Sequence, residues 1–377
     1  MNFSDTQHNM QVGFDAKRLF NNRTGLGNYS RTLLDNLRRY FPDNEYVLFT
    51  PKVNEDEFGA QYSRAFPTVL PQKIGGTYWR SYGVSKDIEQ QGIEVFHGLS
   101  NELPFRLKGV RKVVTIHDLI FKKLPAAYPF FDRQVYDLKS RKSCRSADLV
   151  IAVSESTKRD IIHYYGIPEA KIRVVYQACH PLFYEDKSEA EDDICQKLNL
   201  PTEYLLSVGS VIERKNLLQT VKALSALPAD LQIPLVVVGQ GGDYKQKVLR
   251  YLHQNRMSER VIWRDDISDT ADLCALYRHA ALTLYPSDYE GFGLPVAESL
   301  LCKTPVITSD VSSLPEAGGA GAVLVCPQNI EEITAAAEKL LTDSEFARRM
   351  SAEGYAYARA KFDPEALTQQ IIECYKN

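Results

Sequence analysis

Short apolar runs alternate with amphipathic stretches along nearly the whole chain. An unbroken apolar run bounded by turn residues reads as a strand buried on both faces. In the first half such runs are Gln11–Asp15, Glu45–Thr50, Val95–His97, Lys112–Ile116, Leu149–Val153 and Ile172–Val175. Helical periodicity lies between them, as in Asn28–Tyr40, Tyr128–Ser146 and Glu155–Tyr164. The pattern restarts after an acidic, turn-rich segment, Tyr184–Asp193. There the strands are Tyr204–Val208, Leu235–Val238, Val261–Trp263, Leu282–Tyr285, Val306–Thr308 and Ala322–Val325. The helices are Asn216–Leu227, Tyr244–Gln254, Ala271–His279, Pro295–Cys302 and Ile330–Leu341, and a last helix, Pro364–Tyr375, has no strand after it. This alternation predicts an α/β fold of two doubly wound parallel sheets. Ligands of such sheets bind beyond the carboxyl ends of the strands, and two such domains facing each other make a cleft.

The chemically suggestive residues follow strands. After the run ending at Tyr285 comes Ser287-Asp-Tyr-Glu-Gly-Phe-Gly-Leu-Pro-Val-Ala-Glu298. Pro295 fits the first position of a helix, where a missing N–H does no harm. Glu290 is then expected in the strand-to-helix loop and Glu298 on the first helical turn. Gly291 and Gly293 bare the backbone around Phe292 and Leu294, so a phosphate can approach the N–H groups of a helix start. The two carboxylates suit hydroxyls, since an ionised Glu accepts two hydrogen bonds from a vicinal diol. Together these groups match a diphosphate between two polyols, the layout of a sugar nucleotide. Solvated acids at a helix start are the bland alternative.

Gly209 permits a turn after Val208, and Arg214-Lys215 precede a helix start. Bases there oppose the helix dipole, which makes sense if an anion sits between them. His117-Asp118 ends an internal strand, where the acid can bias the charge of the imidazole; His97-Gly98 ends the preceding strand. Gly25-Leu-Gly27-Asn opens a helix as a phosphate-type loop, but Ser30 stands where a dinucleotide fingerprint needs its third glycine. That weighs against a nicotinamide cofactor. Asp265-Asp266 has no evident third ligand and reads as structural, so no metal site is expected.

Composition excludes some classes. A length of 377 residues suggests two domains, and 44% hydrophobic and 25% charged content are those of a globular chain. A net charge of −3 gives no whole-protein bias toward nucleic acid. Seven cysteines, with no CxxC pair, fit reduced thiols in a cytoplasmic protein. Met1–Met10 is polar, without the apolar region of a signal peptide, and no run approaches the ~18 residues of a transmembrane helix.

These motifs together resemble the retaining, GT-B-fold glycosyltransferases of group 1, or family 4. The resemblance runs from Val12 to about Asp363. It rests on Glu290 and Glu298 spaced as E-x7-E, Thr304–Thr308, Ser312–Glu316, Gly209 with Arg214-Lys215-Asn216, Asp15 with Gly25-Leu-Gly27, and Thr115–Leu119. It implies a GT-B fold of two doubly wound Rossmann-like domains facing each other across a cleft. Residues 1–183 with a returning helix, 363–377, would form the acceptor-side domain, and 184–362 the nucleotide-sugar domain. Glu290 would hold hydroxyls of the donor sugar and Glu298 the nucleotide ribose. Arg214 and Lys215 would neutralise the diphosphate, aided by backbone N–H groups around Phe292–Leu294. Gly25 and Gly27 would let the N-terminal loop approach the donor, and His117 would contact the transferring sugar. No metal would be needed. One departure is Ala317–Ala320, Ala-Gly-Gly-Ala, where the family often has an acid; a local structural difference is expected there.

A sugar-nucleotide epimerase shares the architecture but not the E-x7-E spacing. A non-catalytic sugar-nucleotide sensor would not need His117, both glutamates and the basic pair. The segment His97–Pro104 and the Gly-Leu-Gly-Asn stretch resemble bacterial mannosyltransferases of surface-polysaccharide assembly, which favours GDP-mannose, with UDP-hexoses as the alternative. The acceptor implied is a growing glycan, on a lipid carrier at the inner face of the cytoplasmic membrane. The basic run from Leu107 to Ser146, with Lys108, Lys122, Lys123, Lys139, Lys142 and Arg145 among its cations, offers a patch for anionic lipid or a solvated face.

Overall fold

The computed structural model describes residues 9–54, 56–72, 76–186 and 194–376, so residues 187–193 of the acidic connecting segment lie outside the described residues. The chain forms two compact units, one running to Ala178 and resuming at Pro364, the other spanning Cys179–Asp363.

The first unit is a seven-stranded sheet of β1 (Gln11–Asp15), β2 (Glu45–Phe49), β3 (Thr68–Val69), β4 (Val95–Gly98), β5 (Arg111–Ile116), β6 (Leu149–Ala152) and β7 (Ile172–Val174). All pairings are parallel, in the order β3-β2-β1-β4-β5-β6-β7. Helices cover both faces, which is why Val12, Phe14, Val113, Val114 and Val150 can all be buried and the strands carry no polar alternation. Edge strand β3 escapes the sequence pattern because its two residues make no run. The last helix, Pro364–Lys376, belongs to this unit. Its Tyr375 hydroxyl meets His97 Nδ1 at 2.7 Å, and Arg111 Nε donates to the Cys374 carbonyl at 3.1 Å. His97 Nε2 lies 2.8 Å from Thr115 Oγ1, so both ring nitrogens are used inside the core. Burial holds His97 down at about 3, and it is a packing group.

The second unit is a six-stranded parallel sheet of β8 (Leu205–Val208), β9 (Leu235–Val238), β10 (Val261–Arg264), β11 (Leu282–Tyr285), β12 (Val306–Ser309) and β13 (Ala322–Val325), ordered β10-β9-β8-β11-β12-β13. In both units the strand order reverses beside the first strand, so the switch points lie between β1 and β4 and between β8 and β11. Asp265 and Asp266 are tied to Lys245 and Arg264, at 3.5 and 2.7 Å.

One long helix, Ser344–Lys361, escapes the sequence pattern. Its buried side is only Met350, Gly354 and Ala358, a stripe too narrow and too poor in large apolar residues to register. Glycine is what lets it pack: a Cβ on Gly321 would stand 2.0 Å from the Gly354 Cα. The Ala317–Ala320 stretch closes the same contact, with Gly319 at φ +53° under the Tyr357 ring. Gly321→Ala must therefore push two backbones apart and is expected to lower stability by about 3 kcal/mol in urea unfolding. Gly25→Ala, which meets nothing within 4 Å on a helical turn, should leave the midpoint unchanged or raised.

Candidate functional site

At the second switch point two loops are stitched together. After β8, Gly209 at φ +133° turns the chain into Glu213–Lys215, and Asn216 at φ +55° starts the helix Leu217–Ser225. Asn tolerates this left-handed conformation better than most residues. Its side chain donates to the Pro286 carbonyl at 3.0 Å and to Asp288, while the Asp288 N–H donates to the Arg214 carbonyl at 2.8 Å. The loop after β11 is thus fixed to the loop after β8. Gly239 completes the fit, since a Cβ there would stand 2.0 Å from the Gly209 carbonyl oxygen.

This places both cations on one carboxylate. Arg214 Nη1 and Lys215 Nζ each lie 2.6 Å from Glu290 Oε1. Ser287 Oγ and the Tyr285 hydroxyl donate to the same oxygen at 2.7 and 2.9 Å. Lys215 also touches Tyr285, and Arg214 the Tyr289 carbonyl. Burial alone would push the Glu290 carboxyl up, but Lys215 and then Arg214 outweigh it and hold the group at about 2. Burial lowers Lys215, and Glu290 opposes that shift. The anion expected between the two bases is thus, in this structure, a side chain of the protein.

Ser312 and Ser313 fix the E-x7-E segment: Ser312 Oγ accepts from the Glu290 N–H at 3.0 Å, and Ser313 Oγ donates to the carbonyls of Glu290 and Phe292 at 2.9 and 2.7 Å. Gly291, Phe292 and Gly293 are buried, with the Phe292 ring edge-on to Phe362. Gly293, at φ +120°, caps the helix Leu294–Leu301 without a side chain, and a Cβ there would meet Leu314 at 2.8 Å. The helix begins one residue earlier than Pro295, so Glu298 is its fifth residue and stands on the second turn, not the first. It is half-buried and accepts from the Tyr277 hydroxyl at 3.0 Å. Burial raises Glu298 to about 7, against the pull of that hydrogen bond.

The remaining sequence candidates lie in the first unit. Gly25 and Gly27 are not in a loop: the helix Gly25–Tyr40 starts at Gly25 and holds both in its first turn. Thr24 and Gly27 N–H groups donate to Asn22 Oδ1 at the start of this helix. At Gly27 a Cβ would stand 1.8 Å from the Asn22 carbonyl oxygen, so the fold itself needs that glycine. His117 Nε2 donates to the Leu99 carbonyl at 2.8 Å and Nδ1 accepts from Gln177 at 3.1 Å, which makes the ring neutral. Burial, ahead of any neighbour, lowers His117 to about 4. Asp118 Oδ1 accepts from the Ile120 N–H.

Sequence reasoning missed Tyr285, Ser287, Ser313, Tyr277 and Gly239. Tyr285 and Ser287 adjoin the E-x7-E segment, and the hydroxyls in an apolar strand end were a signal. Tyr277 and Gly239 come from distant segments with none.

Residues 190–357 match the family model for glycosyl transferases group 1, and residues 23–180 that for glycosyltransferase family 4. The chain is 34% identical over 287 residues to O-antigen chain mannosyltransferase B of Escherichia coli, covering 75% of this chain and 74% of that protein. It is 32% identical over 233 residues to the serotype-specific mannosyltransferase WbdA of E. coli, but that match spans only 28% of WbdA. Among solved structures, Anabaena HepE in complex with UDP and glucose superposes with a TM-score of 0.76 at 18% identity, over 97% of this chain and 99% of HepE. WaaG, a glycosyltransferase involved in lipopolysaccharide biosynthesis, gives 0.75 at 18% identity, over 98% and 100%. At that identity the likeness concerns the fold alone. By the 34% identity to a mannosyltransferase over about three quarters of both chains and the two family matches, this chain is a glycosyltransferase of group 1 and family 4, with the GT-B fold.

Proposed function

We propose that the chain is a retaining hexosyltransferase that moves mannose from GDP-mannose to a growing glycan in cell-surface polysaccharide synthesis. The observation that carries this reading is the convergence of Arg214 and Lys215 on Glu290 at the second switch point. The choice of mannose is supported by the names of the E. coli relatives. A UDP-hexose donor is the second reading, suggested by the UDP and glucose in HepE.

In this mechanism the donor diphosphate takes Arg214 and Lys215 from Glu290, and the freed carboxylate accepts sugar hydroxyls. Backbone N–H groups from Gly291 to Leu294, and the turn at Gly209, receive the phosphates. Glu298 accepts the ribose hydroxyls. His117 contacts the transferring sugar as a neutral ring, exchanging its bond to the Leu99 carbonyl or to Gln177 for one to a sugar hydroxyl. The bond from the anomeric carbon to the diphosphate oxygen breaks, and the acceptor oxygen bonds to the same face. The departing phosphate takes the acceptor's proton. Arg214 and Lys215 stabilise the developing charge, the role a metal ion fills elsewhere.

The acceptor in this reading is lipid-linked, and one surface supports peripheral contact with the inner membrane face. The helix Phe130–Ser146 exposes Phe131 (81%), Leu138 (64%) and Val135 (48%) on one side, followed on that side by Lys142 and Arg145. An apolar stripe beside cations complements an anionic lipid surface. No helix among the described residues is long and apolar enough to cross a membrane.

GDP-mannose should raise the melting temperature of the protein and be turned over, with activity kept in excess EDTA. Lys215→Ala should lower kcat by roughly 10²–10³. A shift with UDP-hexoses alone would reassign the donor, and no shift with any nucleotide sugar would overturn the reading. Donor affinity should also depend on pH through Glu298. Its proton must leave before it can accept two hydroxyls, so affinity should fall roughly tenfold per pH unit below about 7 and level off above it. Glu290, held at about 2, and His117, lowered to about 4, add no slope near neutrality. In isothermal titration Glu298→Gln should bind weakly and without this slope. In co-sedimentation, phosphatidylglycerol vesicles should retain the wild type but not a Phe131→Ser/Leu138→Ser double variant.

A further inference from the structure

Buried contacts join His97 and the last helix to His117, and the chemistry above uses neither of them. The Tyr29 ring meets the His117 imidazole nearly at right angles, with centroids 4.7 Å apart. The Tyr29 hydroxyl lies 3.1 Å from Thr115 Oγ1. Thr115 Oγ1 lies 2.8 Å from His97 Nε2, and His97 Nδ1 lies 2.7 Å from the Tyr375 hydroxyl. All these side chains are buried. They come from separate elements: the helix Gly25–Tyr40, β5, β4 and the last helix, Pro364–Lys376. Thr115 stands two residues before His117, and Tyr29 spans the pair, its hydroxyl on one and its ring on the other.

Burial keeps His97 neutral, so one ring nitrogen donates and the other accepts. If the ring donates to Tyr375 it accepts from Thr115, and if it accepts from Tyr375 it donates to Thr115. Loss of the Tyr375 hydroxyl at one end therefore changes what the ring can offer Thr115 at the other. Hydrogen bonds in such a chain polarise one another and respond together. The consequence falls on His117. Without donor, the imidazole is held by the Leu99 carbonyl and by Gln177. In the proposed transfer one of those bonds passes to a sugar hydroxyl, and the Tyr29 ring is a contact that remains.

We infer that Tyr29, Thr115, His97 and Tyr375 form a buried relay that positions the His117 ring for transfer, so that the last helix bears on the reaction. The inference rests on the proposed transferase reading for the reaction, but not for the coupling itself. The members of the relay are positioning residues, acting on the sugar only through His117.

The test uses the full chain carrying isotope-labelled histidine, whose ring nitrogens are read by NMR, with turnover of GDP-mannose onto α-linked mannotriose in the same samples. Tyr375→Phe removes a hydroxyl separated from His117 by His97, Thr115 and Tyr29. It should move both His117 ring signals and lower kcat roughly fivefold, the worth of one hydrogen bond, while the donor KM stays. Tyr29→Phe should do the same. Either change breaks the same relay, so the double variant should be no slower than each single one. Thr115→Ser keeps the hydroxyl and should match wild type, whereas Thr115→Val should not. As a control, Tyr46→Phe removes another buried hydroxyl of this unit, one that donates to the Phe41 carbonyl at 2.8 Å. It should lower the melting temperature but leave kcat and the His117 signals unchanged. Unchanged His117 signals or an unchanged kcat in Tyr375→Phe would overturn the inference. So would a loss of roughly twenty-five-fold in the double variant, which would make the two hydroxyls independent packing contacts. Absence of turnover in wild type would instead count against the transferase reading alone, since the His117 signals still report the relay.

Discussion

The second unit is organised around a buried carboxylate between two cations. Glu290, Arg214 and Lys215 are all largely withdrawn from water, and such a group is stable only when every charge is met. Four donors on a single Glu290 oxygen meet that demand. The surrounding loop features hold those donors in place: the left-handed Asn216, the Ser312 and Ser313 hydroxyls, and the close approach of Gly209 and Gly239. An arrangement that satisfies an internal anion so fully also presents a site prepared for an external one.

The two glutamates of one motif differ because their surroundings differ. Glu290 has two cations within 2.6 Å and stays ionised far into acid. Glu298 has a phenol and an apolar neighbourhood, and its proton is held until about neutrality. Burial raises both; only the first has counter-charges to reverse it. The first switch point repeats the theme with the signs exchanged, as a buried arginine between Asp15 and Glu102. Two sheets of the same winding have thus put ion-pair clusters at the same topological place, where diverging strands leave room for them.

Sequence periodicity alone determined the class of fold. The strands are buried on both faces, so their apolar runs are unbroken and need no knowledge of neighbours: β1, β9, β11 and β13 stand where the runs predict. The chemistry of the E-x7-E segment and the basic pair was also legible, because it depends on residues close in sequence that follow a strand. Tertiary structure decided the rest. The sequence carried no sign that Arg214 and Lys215 reach Glu290, a separation of about seventy-five residues closed only by β8 lying beside β11. Nor did it show that the Gly25 and Gly27 turn is helical, with an Asn22 side chain at its start, or that Gly321 is needed where another helix crosses. His97 and His117 look alike as strand-end histidines. Packing alone separates them, giving one a core tyrosine and the other a backbone carbonyl and a glutamine. Local periodicity records how each element meets the core, whereas the partners of a polar side chain depend on which elements fold beside it.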